Sequence, residues 1–145
     1  MVSDIDKVKR WSIGGFFAIV LLGFLYHYLY EWSHKCVLIA AITPVNESVW
    51  EHLKLGLWAV ISFSVVEYFS LGKEINNYFF SKAVGVLIIS FTILLVFYTY
   101  TMFLNRTIVL LDISSYIIGV ILCQLFCHKV FQMKQSNTLN ISGLI

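Results

Sequence analysis

The chain has 145 residues, of which 59% are apolar and 12% charged, with a formal net charge of +2. A soluble domain carries about 25% charged residues, so there is too little polar surface to cover a water-soluble globule, and a single membrane-embedded domain is what remains. The small net charge also excludes the basic face that a nucleic-acid partner requires.

A membrane-spanning helix needs about 20 predominantly apolar residues. The first such stretch follows a basic segment (Lys7, Lys9, Arg10) and covers residues 11–31. No small-x-small cleavage site follows it, so it is expected to be a retained anchor rather than a signal peptide. Trp11 at one end and Tyr26, Tyr28, Tyr30 and Trp32 at the other match interfacial aromatic belts. Residues 36–42 are apolar but too few to span, and predict an interfacial turn or a re-entrant piece covered by protein. The second span is expected over 44–71, with Thr43 as N-cap, Pro44 in the first helical position and Gly72 as the stop. The third covers 78–104, closed by Asn105-Arg106, and the fourth 107–131. Residues 132–145 form a polar tail expected to lack fixed structure. The predicted fold is all-α: one transmembrane domain over 1–131, built as an integral membrane four-helix bundle with a short apolar segment before the second helix.

Basic residues set the expected orientation. Lys7, Lys9, Arg10, Lys73, Lys82, Lys129 and Lys134 fall on the side of the termini, against Lys35, Lys54 and Arg106 on the other. By the positive-inside rule both termini are cytoplasmic and the protein is a multi-pass component of the cell membrane.

Between apolar helices in lipid, small residues mark close packing. The fourth helix carries Ser115, Gly119, Cys123 and Cys127 at a spacing of four, the first a shorter pair, Gly14 and Ala18, and the third Gly85. Packing therefore accounts for Cys123 and Cys127, and three cysteines without a Cys-x-x-Cys pair predict neither a disulfide framework nor a redox centre.

Ionisable groups within spans are candidate functional sites. Counted at about 1.5 Å per residue from the outer helix ends, His27, Glu47, Glu51, His52, Tyr98, Tyr100 and Asp112 fall in one layer of the outer leaflet. Glu47 and Glu51 share a helix face one turn apart, with Lys54 at the next turn. A plain alternative for Glu47 is that it finishes a helix start. Glu51, His52 and Asp112 are the expected main contacts of a small polar or cationic ligand, with Glu47, Asn46 and His27 at the rim and Trp50, Tyr98 and Tyr100 as aromatic walls. Glu47, Glu51, His52 and Asp112 are also the candidate ligands for a divalent metal such as zinc or manganese. The helical His-Glu-x-x-His signature is absent, however, and no strong motif indicates a cofactor. Glu67 is expected to pair with Lys73 or Lys82 in a structural role, and His34, Lys35 and His128 to be solvated.

The run Val45-Asn46-Glu47-Ser48-Val49-Trp50-Glu51-His52 resembles a segment of an uncharacterised family of small four-span bacterial membrane proteins, supported by Phe97-Tyr98-Thr99-Tyr100-Thr101. The resemblance implies a bacterial inner-membrane location and four helices, and carries no activity with it. Three functions stay open. The first is binding or transport of a small polar or cationic ligand; the second a metal-assisted hydrolase acting on lipid; the third a structural or accessory subunit of a membrane complex. Membrane lipid is the expected surrounding, and a transporter with so few spans would need a homodimer or a partner membrane protein.

Overall fold

A computed structural model of the chain describes residues 2–71, 75–136, 138 and 143, with the backbone alone for residues 2–5. The described residues form five helices and no strand: α1 (Val2–Trp32), α2 (Val37–Ala40), α3 (Val49–Ser70), α4 (Tyr78–Leu104) and α5 (Val109–Phe131). Of these, α1, α3, α4 and α5 are long and apolar enough to cross a membrane. The shortest, α3, has 22 residues, about 33 Å of helix against a hydrocarbon core of about 30 Å.

The four long helices pack in a closed ring, in which α1 touches α3 and α5, and α4 touches α3 and α5. Ser12, ten residues into α1, lies 3.4 Å from His128 near the end of α5, so the N-terminal part of α1 and the C-terminal end of α5 belong to one end of the bundle. The connections from α1 to α3 and from α4 to α5 form the opposite end, here called the loop end. Ile19, Ala59, Val60, Ile89, Val120, Cys123 and Cys127 fill the centre. Large apolar side chains cover the outside, among them Phe69 at 81% and Leu110 at 72% exposure. Such a surface suits lipid as solvent and would be a large sticky patch in water.

Glycine sets the closest approaches. A Cβ on Gly85 would come within 2.7 Å of Cys123 Sγ, and one on Gly119 within 3.1 Å of Ile89 Cα. The small-residue stripe of α5 therefore lies against α4, as its spacing predicts. On α1 the expected pair is displaced. Among the described residues nothing lies within 4 Å of a Cβ on Gly14, whereas a Cβ on Gly15 would meet Gln124 at 2.5 Å and the Phe63 ring at 2.7 Å. Gly15, Ile19 and Gly23 make the buried stripe, one residue and so about 100° from the expected face.

The start of α3 also differs from expectation. It begins at Val49, not Pro44. Ser48 is the N-cap: its hydroxyl accepts from the Glu51 amide at 3.3 Å, and the Ser48 amide donates to Asn46 Oδ1 at 2.9 Å. These side chains satisfy donors that an earlier start would leave to the helix. Pro44 lies in the preceding turn, beside Thr43, whose hydroxyl donates back to Ile39 O at 2.8 Å. Residues 36–42 contain only the single turn α2, with Val37 and Leu38 exposed. At the other end of α3, Gly72 and Lys73 lie outside the described residues.

Two asparagines in the left-handed region bound α4, Asn77 with φ of 55° and Asn105 with φ of 49°. Asparagine tolerates that region better than most residues. Asn77 is also a clasp: its amide donates to Lys134 O at 3.0 Å and its Oδ1 accepts from the Ser136 amide at 2.9 Å. The first residues of the C-terminal tail are thereby fixed to the α3–α4 turn.

Candidate functional site

A cavity of about 190 Å³ opens at the loop end between α1, α3, α4 and α5. Each helix contributes by its periodicity. One face of α1 supplies Gly23, Phe24, His27 and Tyr28, and one face of α5 supplies Val109, Asp112, Ile113 and Tyr116, both at helical three-and-four spacing. His52 and Leu55 come from α3, Ile93 and Phe97 from α4, and Glu47 from the loop before α3.

Three donor groups converge at the mouth. The nitrogen and oxygen donor atoms of His27, Glu47 and His52 all lie within 4.8 Å of one another. The imidazole rings of His27 and His52 are 5.3 Å apart between centroids, and His52 Nε2 is 3.5 Å from Glu47 Oε2. The other nitrogen of His52, Nδ1, is 2.8 Å from Ser48 O. A carbonyl only accepts, so Nδ1 carries the proton in this contact. The Glu47 side chain is 86% exposed, whereas that of His52 is 25% exposed. The mouth is therefore exposed at Glu47, and the lining also includes Tyr28 and Val109, 52% and 71% exposed.

Asp112 lines the same cavity from α5. Its Oδ1 accepts from the Tyr100 hydroxyl at 2.6 Å, and Tyr100 Oη also receives the Ile108 amide at 3.3 Å. Tyr100 thus holds Asp112 from behind without lining the cavity. Tyr116 closes the floor, donating to Ile19 O at 2.8 Å across the gap left by Gly23.

The other residues of the expected layer have different surroundings. Glu51 Oε2 accepts from Lys54 Nζ at 2.7 Å and from the Val45 amide at 3.1 Å, and Lys54 also donates to Ala40 O at 3.1 Å. This set fastens the loop to α3 and does not line the cavity. Asn46 makes the local turn before Ser48, and Trp50 and Tyr98 are 62% and 50% exposed on the outside of the bundle. Phe24, Phe97 and Tyr116 were not among the expected contacts. Their signal in the sequence is their helical spacing from His27, Tyr100 and Asp112.

A second polar cluster lies toward the terminal end. Lys82 Nζ is paired with Glu67 Oε2 at 2.5 Å, and the two side chains are 9% and 1% exposed. The ammonium also sits 5.6, 5.5 and 5.3 Å from the rings of Phe63, Tyr78 and Phe131, within reach of cation–π attraction. The Tyr78 hydroxyl donates to Ser64 O at 2.7 Å and lies 3.1 Å from Glu67 Oε2. Of the two expected partners of Glu67, Lys82 is the one in contact. Lys73 is outside the described residues. His128 is partly buried between Ser12 and Gln132.

Four long apolar helices around a pocket that holds His27, Glu47, His52 and Asp112 are the build of a multi-pass membrane protein. The chain belongs to DUF6512, a family of unknown function whose model matches residues 1–145. Comparison with curated proteins and with solved structures gives no match.

Proposed function

We propose that this is a multi-pass protein of a bacterial cell membrane, with both termini in the cytoplasm, that binds or transports a small cationic ligand through the loop-end pocket. The orientation rests on the positive-inside rule, with Lys7, Lys9, Arg10, Lys129 and Lys134 at the terminal end. The pocket then opens on the outer face. The observation that carries the reading is that two carboxylates from different parts of the chain, Glu47 and Asp112, line one cavity together with His27 and His52. Among the described residues no lysine or arginine lines that cavity, so the carboxylates favour a cation there. Phe24, Tyr28 and Phe97 line the same space with aromatic rings, which are able to attract a cation.

The test is thermal unfolding of the detergent-purified chain against divalent metals, organic amines and neutral polar compounds. A cation that raises the unfolding temperature of the wild type, with a smaller response in Glu47→Gln and Asp112→Asn, supports the reading. In Asp112→Asn the new amide oxygen would still accept the Tyr100 hydroxyl, so that variant is expected to fold. An equal response in both variants, or none to any cation, would reject the reading in favour of a structural or accessory subunit.

A further inference from the structure

We propose that the ligand is a divalent transition-metal ion, bound by His52 Nε2, a carboxylate oxygen of Glu47 and an imidazole nitrogen of His27. The inference rests on the pocket reading above and names its ligand class. Three independent features support it.

The first is spacing. Donors bound to one zinc ion at about 2.0–2.1 Å in a tetrahedron lie about 3.3 Å apart. His52 Nε2 and Glu47 Oε2 are already 3.5 Å apart, and the His27 donor completes a set within 4.8 Å. Small side-chain rotations close the remainder, and the exposed mouth leaves Glu47 room to make them.

The second is the tautomer. With its Nδ1 proton given to Ser48 O at 2.8 Å, a neutral His52 keeps its lone pair on Nε2, the atom that faces Glu47. Metal-bound histidines are commonly fixed this way, their second nitrogen donating to a carbonyl or carboxylate.

The third is the donor chemistry. Two imidazoles and one carboxylate suit zinc or ferrous iron, with cobalt as a spectroscopic stand-in for zinc, whereas magnesium, calcium and manganese favour oxygen ligands. Three protein ligands leave a coordination position open, and Asp112 lines the same cavity. Structural zinc sites take four protein ligands; an open position belongs to sites that exchange or activate something.

The experiment is titration of the tag-free 145-residue chain in detergent with zinc, manganese and cobalt, after chelator treatment. Binding is read by total metal analysis and by the ligand-field absorption of cobalt. One equivalent is expected, reversed by chelator, with a cobalt spectrum of low-symmetry nitrogen and oxygen ligation. His27→Ala, His52→Ala and Glu47→Gln should each weaken binding by more than the roughly 10- to 100-fold that loss of an outer-shell partner costs. Glu47 is exposed, so Glu47→Gln gives a result even where a histidine variant folds poorly. Glu51→Gln should weaken binding less than Glu47→Gln, since its carboxylate is not a ligand and acts on the site only by fastening the loop that carries Glu47. Absence of metal binding, or equal affinity in Glu47→Gln and the wild type, overturns the inference. If an organic amine then stabilises the protein through Glu47 and Asp112, the pocket reading stands without the metal. If neither binds, both fall.

Discussion

Lys82 on α4 and Glu67 on α3 form an ion pair of 2.5 Å inside the bundle, with both side chains almost fully buried. Neither charge has water to return to. Three aromatic rings close over the ammonium and Tyr78 stands beside the carboxylate. Such a pair is worth little beyond an apolar pair of the same size, yet breaking it strands a charge. Lys82→Met and Glu67→Leu should each lower the unfolding free energy by about 3–5 kcal/mol. The double variant should recover most of that loss. Additive losses in a detergent unfolding assay would mean that the two residues act separately.

Two neighbouring glutamates divide the work at the loop end. Glu51 accepts from Lys54 and from the Val45 amide, so Glu51→Gln should lower stability by about 1 kcal/mol. Glu47 reaches His52 at the cavity mouth and is otherwise largely exposed. Glu47→Gln should leave the unliganded stability within about 0.5 kcal/mol while weakening the ligand response. Unfolding curves of both variants with and without a stabilising cation check the division. The opposite pattern would transfer the site to Glu51.

Two adjacent glycines on α1 should behave differently. Gly14→Leu adds a side chain where, among the described residues, nothing lies within 4 Å, and its effect should stay within about 0.5 kcal/mol. Gly15→Val would press on Gln124 and Phe63 and should cost about 1–3 kcal/mol. Thermal unfolding of the pair tests which face of α1 enters the bundle.

The sequence was legible where a signal ran over many residues. Four apolar runs mark the long helices, and the stripe Ser115, Gly119, Cys123, Cys127 marks the α5 surface that meets α4. Single choices were harder. Gly14 and Gly15 differ by one position, and nothing in their own neighbourhood says which faces inward; the partners that decide it, Phe63 and Gln124, are far along the chain. Pro44 is a sound first helical residue, but Ser48 with Glu51 three residues later is the stronger start, and the structure follows it. The common depth of His27, His52, Tyr100 and Asp112 could be counted from helix ends. The spacing of Glu51 and Lys54 on one helix face also pointed to their pairing; that the Val45 amide and the Ala40 carbonyl would join them could not be read, because it depends on how the loop folds back.

That start gives one more measurable contrast. Ser48→Ala removes the cap of α3 and should cost about 1 kcal/mol. Pro44→Ala leaves the cap intact and should cost less. Equal losses, measured by thermal unfolding, would place the helix start back at Pro44.

The ring of α1, α3, α4 and α5 has no outermost member, since each long helix is flanked by two others. Ser12, ten residues into α1, and His128, near the end of α5, come together. The order in which the helices are synthesised is therefore not written into their final arrangement. A chain joined there by a linker and reopened in the α4–α5 turn at Arg106 would enclose the same interior with its new ends on the opposite face.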